Sequence, residues 1–353
     1  MDKNNLFILF FNQFYIIFII LFLYIFKYIL NKNFRLTKNL KKKLDYSIEI
    51  NKIYSELYYA AKSGKASKPK FNEGHKDKNY LIKNKKGVCL CTIAKNENLY
   101  AREFVEYYHL LGFKKIIIFD NNEIQGEKIN DIIFDYLKNN FVEIIDIRGL
   151  SSVQIGVYNY CYKKYNHFFD WLAFFDFDEY LYIKNNLNID NYLYNLNFKK
   201  CESILFNWHI YNDNELEKYD NRPLNERFKT FKSRHKRAKS IIRGNLPNLL
   251  FTSVHICAMN INYFCDSTGE RVFPQSYLDI NLNKGYFAYI KHFYTKTAEE
   301  FCIKINRGGG QNSKQETIIP RIKNFFIFNK ITLNKIKIIE KCTNLNIRKI
   351  IEK

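Results

Sequence analysis

The chain has 353 residues, of which 47% are hydrophobic, and this length is enough for one large globular domain or two small ones. Its formal net charge of +21 is in the range of proteins that bind nucleic acid or an anionic membrane surface. No nucleic-acid recognition motif accompanies the charge, and the abundant Asn, Lys, Ile, Phe and Tyr all have A/T-rich codons, so no nucleic-acid partner is expected.

The first predicted element is an uncharged apolar segment over residues 6–26. A segment of about 20 residues is long enough to cross a bilayer, and no small-residue cleavage site follows it. Residues 1–30 are therefore expected to be an uncleaved membrane anchor, with a buried or interfacial helix as the alternative. More Lys and Arg follow the segment than precede it, which predicts a single-pass protein whose main domain is cytoplasmic.

Residues 31–86 are basic and include a weakly hydrophobic run at 62–70, which predicts a stem or linker. A catalytic domain is expected over 87–310 and a helical tail over 311–353. The domain opens with predicted strands at 87–94, 114–119 and 141–147, which alternate with helices. This alternation predicts parallel βαβ units with right-handed crossovers and hence an α/β fold.

Polar residues follow the predicted strands at the point where each strand ends. Asn96 and Glu97 follow the first strand, and Asp120 and Asn121 follow the second. Open α/β sheets bind ligands at the carboxyl ends of their strands. We therefore expect a ligand site at this edge.

The segment at 171–183, WLAFFDFDEYLYI, is interpreted as one buried strand that carries Asp176, Asp178 and Glu179. Side chains alternate along a strand, so the two aspartates are expected to point the same way. Neighbouring carboxylates repel each other unless a cation lies between them, and oxygen ligands suit Mg²⁺ or Mn²⁺. The alternative is a strand end whose charges stay solvated.

The basic run at 228–243 and the cysteines can each be interpreted in more than one way. The basic run at 228–243 is either a solvated face or a surface that attracts a diphosphate or an anionic membrane. The eight cysteines permit disulfides, but several lie in apolar runs, as buried free thiols do, and none has a zinc-site spacing. A reducing compartment is the favoured interpretation.

Six blocks in order resemble glycosyltransferases of the GT-A fold, in particular the family 92 and family 2-like group. The blocks cover residues 88–310 and are CTIAKNE (91–97), EFVEYYHLLG (103–112), FDNN (119–122), Gln154 with YNYC (158–161), WLAFFDFDEYL (171–181), and KHFYTKTAEEF (291–301) with Lys304 and Arg307. Asn122 departs from the pattern, because a Ser or another small residue is more usual there.

The resemblance implies a GT-A fold, a Rossmann-like nucleotide-diphospho-sugar transferase with a mixed, mainly parallel sheet. It also implies metal-dependent, mostly inverting transfer of a sugar, expected to be a hexose, from a nucleotide-sugar, commonly a UDP-sugar. The acceptor would be a glycan or glycolipid. Golgi enzymes of this type place the domain in a lumen, which is the alternative to the cytoplasmic topology.

The resemblance also assigns site residues. Asp176, Asp178 and His292 are expected to hold Mn²⁺ or Mg²⁺, with His255 as the alternative to His292. The residues expected to bind the donor are Ala94, Asn96, Glu97, Asp120, Asn121, Gln154, Asn159, Asp176 and Lys296. An inverting transfer needs a base, for which Asp213 and Glu215 are the candidates; Glu179 is expected to support the metal or the donor sugar.

Two other functions remain open. A haloacid-dehalogenase-like phosphatase also uses Asp-x-Asp, but on its first strand, whereas here three predicted strands precede the motif. A membrane-anchored basic module without catalysis is the alternative outside the enzymes.

Overall fold

A computed structural model describes residues 86–150, 153–195, 198–255, 261–274, 287–307 and 314–351. The predicted anchor, and the predicted stem up to residue 85, lie outside these residues. The prediction of a single-pass membrane protein is corrected here: no helix in the described ranges has both the length and the apolar composition needed to cross a bilayer.

The first half of the fold alternates strands and helices, as the sequence predicts. Its elements are β1 (Val88–Ala94), α1 (Ala101–Leu110), β2 (Lys115–Asp120), α2 (Phe134–Lys138), β3 (Val142–Asp146), α3 (Gln154–Tyr165) and β4 (Trp171–Phe174). β3, β2, β1 and β4 lie side by side in this order, and each neighbouring pair is parallel. Their carboxyl ends therefore share one edge of the sheet.

The second half adds strands of both directions to the same sheet. Its elements are β5 (Glu179–Ile183), α4 (Ile189–Asn195), β6 (Ser203–Tyr211), α5 (Leu224–Arg227), β7 (Phe231–Arg243), β8 (Phe264–Cys265), β9 (Arg271–Val272) and β10 (Ala288–His292). The strand order continues from β4 through β7, β6 and β10 to β5, with β8 beside β6. β7 runs antiparallel to β4 and β6, and β10 runs parallel to β6. The sheet is therefore mixed.

The interpretation of residues 171–183 as one strand is wrong. β4 ends at Phe174, and β5 begins at Glu179 and pairs with β10, several strands away. The amide of Glu179 donates to the carbonyl of Asp176 at 3.0 Å, which closes a turn between the two strands. Asp176 and Asp178 lie in this turn, where the Asp176 side chain is 33% exposed and Asp178 is buried. Burying the charge of Asp178 is costly unless a partner compensates for it.

Four helices pack together at the C-terminal end of the chain. They are α6 (Ala298–Asn306), α7 (Lys314–Phe328), α8 (Leu333–Thr343) and α9 (Ile347–Ile351), and they share an apolar core that includes Phe301, Phe325 and Ile339. α6 begins with a capping box formed by Thr297 and Glu300. This helix lies in the predicted catalytic domain but packs with the tail helices.

The cysteines correct a second prediction. Disulfides join Cys91 to Cys161, Cys201 to Cys265 and Cys302 to Cys342, whereas Cys89 is free and buried; Cys257 lies outside the described residues. The paired residues are 40 to 70 positions apart, so the sequence alone does not show the pairing. Disulfides persist in oxidising compartments, which contradicts the preference for a reducing one.

Candidate active site

Asp176 is surrounded by hydrogen-bond donors and by a buried ammonium group. Its Oδ1 accepts hydrogen bonds from the Gln154 amide at 2.7 Å and from the Tyr158 hydroxyl at 3.0 Å. Its Oδ2 lies 2.9 Å from Nζ of Lys239, whose side chain is completely buried. Burial alone would raise the pKa of Asp176, but Lys239 holds this pKa below its usual value. Asp176 is therefore ionised.

Asp178 contacts basic side chains that differ from those around Asp176. Its Oδ2 lies 2.5 Å from Nζ of Lys304 and 3.5 Å from Nε2 of His292. Burial alone would raise the pKa of Asp178, but Lys304 and then His292 hold it well below its usual value. The two aspartates are thus each matched by a lysine from elsewhere in the chain.

Glu179 is the most deeply buried acid of this group. Its Oε2 accepts a hydrogen bond from the amide of Asp176 at 2.9 Å and lies 3.4 Å from Nζ of Lys239. Its Oε1 is buried without a hydrogen-bond partner. Burial, and after it the neighbouring Asp176 and Asp178, raise the pKa of Glu179 well above its usual value even though Lys239 acts in the other direction. Glu179 shapes the Asp-x-Asp turn from inside the protein.

A second cluster of charged side chains lies after β1, at the edge of the sheet where the parallel strands have their carboxyl ends. Glu97 is buried, and its carboxylate lies 3.4 Å from Nζ of Lys296 and forms an ion pair with Arg307. Lys296 also lies over the ring of Tyr100, 3.8 Å from its centroid. Arg307 donates to the carbonyl of Lys95 at 2.5 Å. Glu97 and Lys296, both predicted site residues, are therefore in direct contact.

The other predicted residues after β1 and β2 are occupied by internal hydrogen bonds. Asp120 accepts from the amides of Asn122 at 3.0 Å and Ile129 at 3.3 Å, and burial raises its pKa. The side-chain amide of Asn121 donates hydrogen bonds to the backbone carbonyls of Ile147 and Leu150. These side chains fix the loops at the strand ends.

The remaining donor-site predictions fall into two groups. Gln154 bonds Asp176, as described above, and Asn96 is exposed with a left-handed φ of 51°. Asn159 instead exchanges hydrogen bonds with the backbone of Phe251 at 2.8 and 3.0 Å, and Ala94 is a buried residue of β1. In the structure Asn159 holds a loop in place.

Aromatic rings adjoin the aspartate turn. The Trp208 ring lies 4.3 Å from His292 and 5.2 Å from His255, measured between ring centroids. Nε1 of Trp208 and Nδ1 of each histidine are buried without a hydrogen-bond partner. Burial lowers the pKa of both histidines, that of His255 to about 3. These neutral rings leave unpaired polar atoms of the kind that a ligand satisfies.

The two predicted bases contact the C-terminal helices. Asp213 is buried, lies 2.6 Å from the buried Nζ of Lys335, and has its amide bonded to Asn329 at 2.7 Å. Glu215 is 66% exposed and pairs with the equally exposed Lys330 at 3.2 Å. Neither has a described contact with the aspartate turn.

The donor set does not fit the predicted Mn²⁺ or Mg²⁺. An ammonium group already lies against each aspartate, and among the residues that the structure covers no group of three or more His, Cys, Asp and Glu side chains is placed to hold a metal. A divalent ion needs several oxygen ligands at about 2.0–2.6 Å. Here the ammonium groups of Lys239 and Lys304 contact the carboxylate oxygens to which such an ion would bind.

Sequence reasoning missed the role of Lys239. This residue belongs to the basic run at 228–243, but the second half of β7, from Ala238, is buried. A lysine beside the apolar residues Ala238, Ile241 and Ile242 needs a buried carboxylate as its partner, and this was the available signal. Lys304 and Arg307 are indicated only by the resemblance of the sixth sequence block.

Comparison with known proteins supports the resemblance. The sequence model of glycosyltransferase family 92 matches residues 84–329. A family 92 protein of Arabidopsis thaliana is 26% identical over 179 residues, which are 47% of this chain and 30% of that protein. One of Oryza sativa subsp. japonica is 26% identical over 114 residues, which are 32% of this chain and 19% of that protein. The matches thus span less than a third of these relatives.

Two solved structures show a distant similarity to this chain. Residues 1–349 of S. aureus TarS in complex with UDP-GlcNAc have 10% identity and a TM-score of 0.37, covering 75% of this chain and 81% of that one. Mannosyltransferase PcManGT from Pyrobaculum calidifontis, in complex with GDP-Man and Mn²⁺, has 8% identity and a TM-score of 0.31, covering 86% and 84%. The family match extends over more than two thirds of the 353 residues. The chain belongs to glycosyltransferase family 92.

Proposed function

We propose that this protein, built as a GT-A fold, transfers a hexose from a UDP-sugar to a hydroxyl group of a glycan or glycolipid. The observation that carries the proposal is the Asp176–Asp178 turn between β4 and β5, with its paired lysines, in a chain of family 92. The turn follows the carboxyl end of a parallel strand, where open α/β sheets bind nucleotides.

The proposed donor site extends from the aspartate turn towards Glu97. Lys304 and Arg307 are partly exposed, with 15% and 16% of their side-chain surface accessible, and face this region together with Lys296. Their positive charges suit the diphosphate of the donor. Asp120 and Asn121 are assigned the indirect role of holding the loops on which Asn96 and Glu97 lie.

The reaction breaks the bond between the anomeric carbon and the diphosphate oxygen, and it forms a bond from that carbon to the acceptor oxygen. The acceptor proton passes to a base, and the nucleoside diphosphate leaves with its charge offset by the nearby ammonium groups. The sugar passes through an oxocarbenium-like state. The metal dependence predicted from the sequence enters no step, because the donor set does not fit a metal.

Glu215 is assigned the role of base in preference to Asp213. Its carboxylate is exposed and can meet an acceptor, whereas Asp213 is buried against Lys335. Glu215→Gln is expected to lower kcat by at least about 100-fold without changing the unfolding temperature, since general bases contribute about 10²–10⁴-fold. Glu226→Gln, on the short helix α5, is the control and is expected to retain full activity. An unchanged kcat in Glu215→Gln would remove Glu215 from the mechanism.

The test of the function is release of nucleoside diphosphate from a panel of UDP- and GDP-sugars, with and without acceptor glycans. Asp178→Asn is expected to lower turnover by about 100-fold or more, because Lys304 and His292 lose their charged partner. Asp220→Asn changes a surface carboxylate that pairs with Arg222 and is expected to have no effect. Failure of every nucleotide-sugar to bind or react would contradict the proposal, and nucleotide-independent phosphatase activity would favour the alternative enzyme.

A further inference from the structure

We propose that Lys239 and Lys304 take the place of a divalent cation in this site, so that the nucleoside diphosphate binds without a metal. This inference rests on the proposed function and concerns how the same site binds the diphosphate of the nucleotide-sugar. Lys239 fixes Asp176 from inside the protein, and Lys304 is the partly exposed cation that meets the diphosphate.

Lys239 is built into the fold. It lies on β7, where it pairs in register with Phe206 of β6, next to Ser240, which pairs with Phe174 at the end of β4. Its side chain has no exposed surface, and its ammonium group lies 2.9 Å from Asp176 and 3.4 Å from Glu179. Removing an ammonium group from water costs several kcal/mol unless it is paired, so the position is stable only with these carboxylates.

Both carboxylate oxygens of Asp176 already have protein partners, although the side chain is partly exposed. Oδ1 already accepts two hydrogen bonds, from Gln154 and Tyr158. A metal bound to Oδ2 would lie about 2 Å from that oxygen, where it would meet the Lys239 ammonium. Because Lys239 is enclosed on all sides, it has no route to solvent that would release the oxygen.

Lys304 is held just as firmly but reaches the surface. Besides Asp178 at 2.5 Å, its ammonium group donates to the carbonyl of Tyr294 at 2.8 Å and lies 4.3 Å from the centroid of that ring. Arg307 follows three residues later, on the same side of the helix end. The two cations form one partly exposed positive face beside the aspartate turn.

Each carboxylate in this region already contacts a basic side chain of the protein. Glu97, Asp176, Asp178 and Glu179 contact four basic side chains, Lys239, Lys296, Lys304 and Arg307. Burial raises the pKa of Glu179 and so favours its neutral form, which leaves fewer negative charges for a metal to offset. Here the cations that hold the carboxylates are part of the chain.

The experiment is calorimetric titration of the full chain with UDP and with GDP, in EDTA and again with Mn²⁺. We expect one of these nucleotides to bind in EDTA, with a Kd that Mn²⁺ changes by less than about threefold, which is less than 1 kcal/mol. Lys304→Met should weaken binding in EDTA by about tenfold or more, and Lys304→Arg should restore most of it. Lys138→Gln removes an exposed charge at the end of α2 and should not change the Kd.

The outcomes separate the two proposals. Binding that occurs with Mn²⁺ but not in EDTA would overturn the replacement of the metal by lysine and leave the proposed function intact. Binding in EDTA that Lys304→Met does not weaken, in a variant with the wild-type unfolding temperature, would also overturn it. Failure of both nucleotides to bind under either condition would contradict the transferase function and this inference together.

Discussion

Glu179 illustrates how a single residue gives the site its pH dependence. It is completely buried beside Asp176, Asp178 and Lys239, and burial raises its pKa well above the usual value near 4. A carboxyl group with a raised pKa holds a proton more tightly in the folded chain than in the unfolded one. The free energy of unfolding therefore falls as the pH rises from the unfolded pKa to the folded pKa.

Glu179→Gln should remove this dependence. The amide oxygen can still accept the hydrogen bond from the Asp176 amide, and it carries no charge to bury. We expect the variant to match the wild type near pH 4 and to gain in relative stability as the pH rises to 8, by up to about 1.4 kcal/mol for each unit of the pKa shift. Unfolding by urea at several pH values measures the difference, and a constant difference across this range would show that Glu179 titrates normally.

Glu226→Gln is the matched control for Glu179→Gln. Glu226 lies in the first turn of the short helix α5 and is exposed, so its substitution should shift stability by no more than about 0.5 kcal/mol at any pH. A pH-dependent effect in this control would point to a change in net charge rather than to the buried carboxyl group.

The sequence correctly predicted the strands and helices that are marked by a short-range pattern of apolar residues. β1 to β3 and the helices between them follow from short apolar runs separated by polar turns, and all of them are present. β5 was missed because residues 171–183 are apolar on both sides of the turn, so periodicity alone shows no break. β7 was missed because its first half is basic and exposed, and only its pairing with β4 and β6 makes it a strand.

Helix α6 depends on a crosslink that local patterns do not reveal. Cys302 of α6 is joined to Cys342 of α8, 40 positions away, and α6 carries Lys304 of the proposed site. Replacing both cysteines by serine should lower the free energy of unfolding by about 2–4 kcal/mol, because a loop of this size loses its constraint in the unfolded chain. It should also weaken nucleotide binding, since α6 is held less firmly.

Urea unfolding and UDP titration of Cys302→Ser/Cys342→Ser check this prediction. Cys89→Ala is the control, because Cys89 is buried and has no disulfide, so its loss removes sulfur without removing a crosslink. Equal effects of the two changes on nucleotide binding would indicate that the disulfide has no particular influence on the site.

At the scale of the whole molecule, the site joins parts of the chain that are distant in sequence. The Asp178–Lys304 pair spans 126 positions, and the Asp176–Lys239 pair brings β7 to the turn that follows β4. The sequence identified both aspartates, since their motif is local. It did not pair them with Lys239 and Lys304, because apolar neighbours can indicate that one lysine among 56 basic residues is buried, but only the strand order shows which carboxylate it meets.

The C-terminal helices are attached to the sheet by a buried ion pair. Asp213, which follows β6, lies 2.6 Å from Lys335 of α8, and both side chains are almost completely buried. Breaking such a pair from one side leaves an uncompensated charge and costs about 3–5 kcal/mol. Asp213→Asn should therefore lower stability by this amount, and Asp213→Asn/Lys335→Met should recover most of the loss because the charge and its partner are removed together.

The double variant also distinguishes the two roles considered for Asp213. If Asp213 only attaches the helices, Asp213→Asn/Lys335→Met should regain kcat together with its unfolding temperature, since the helix that carries Lys304 returns to its place. A catalytic base has no such rescue, because the residue that accepts the proton is still missing. A stable double variant with kcat reduced by about 100-fold or more would assign the base to Asp213 and not to Glu215. Steady-state kinetics at a temperature where all variants are folded gives the answer.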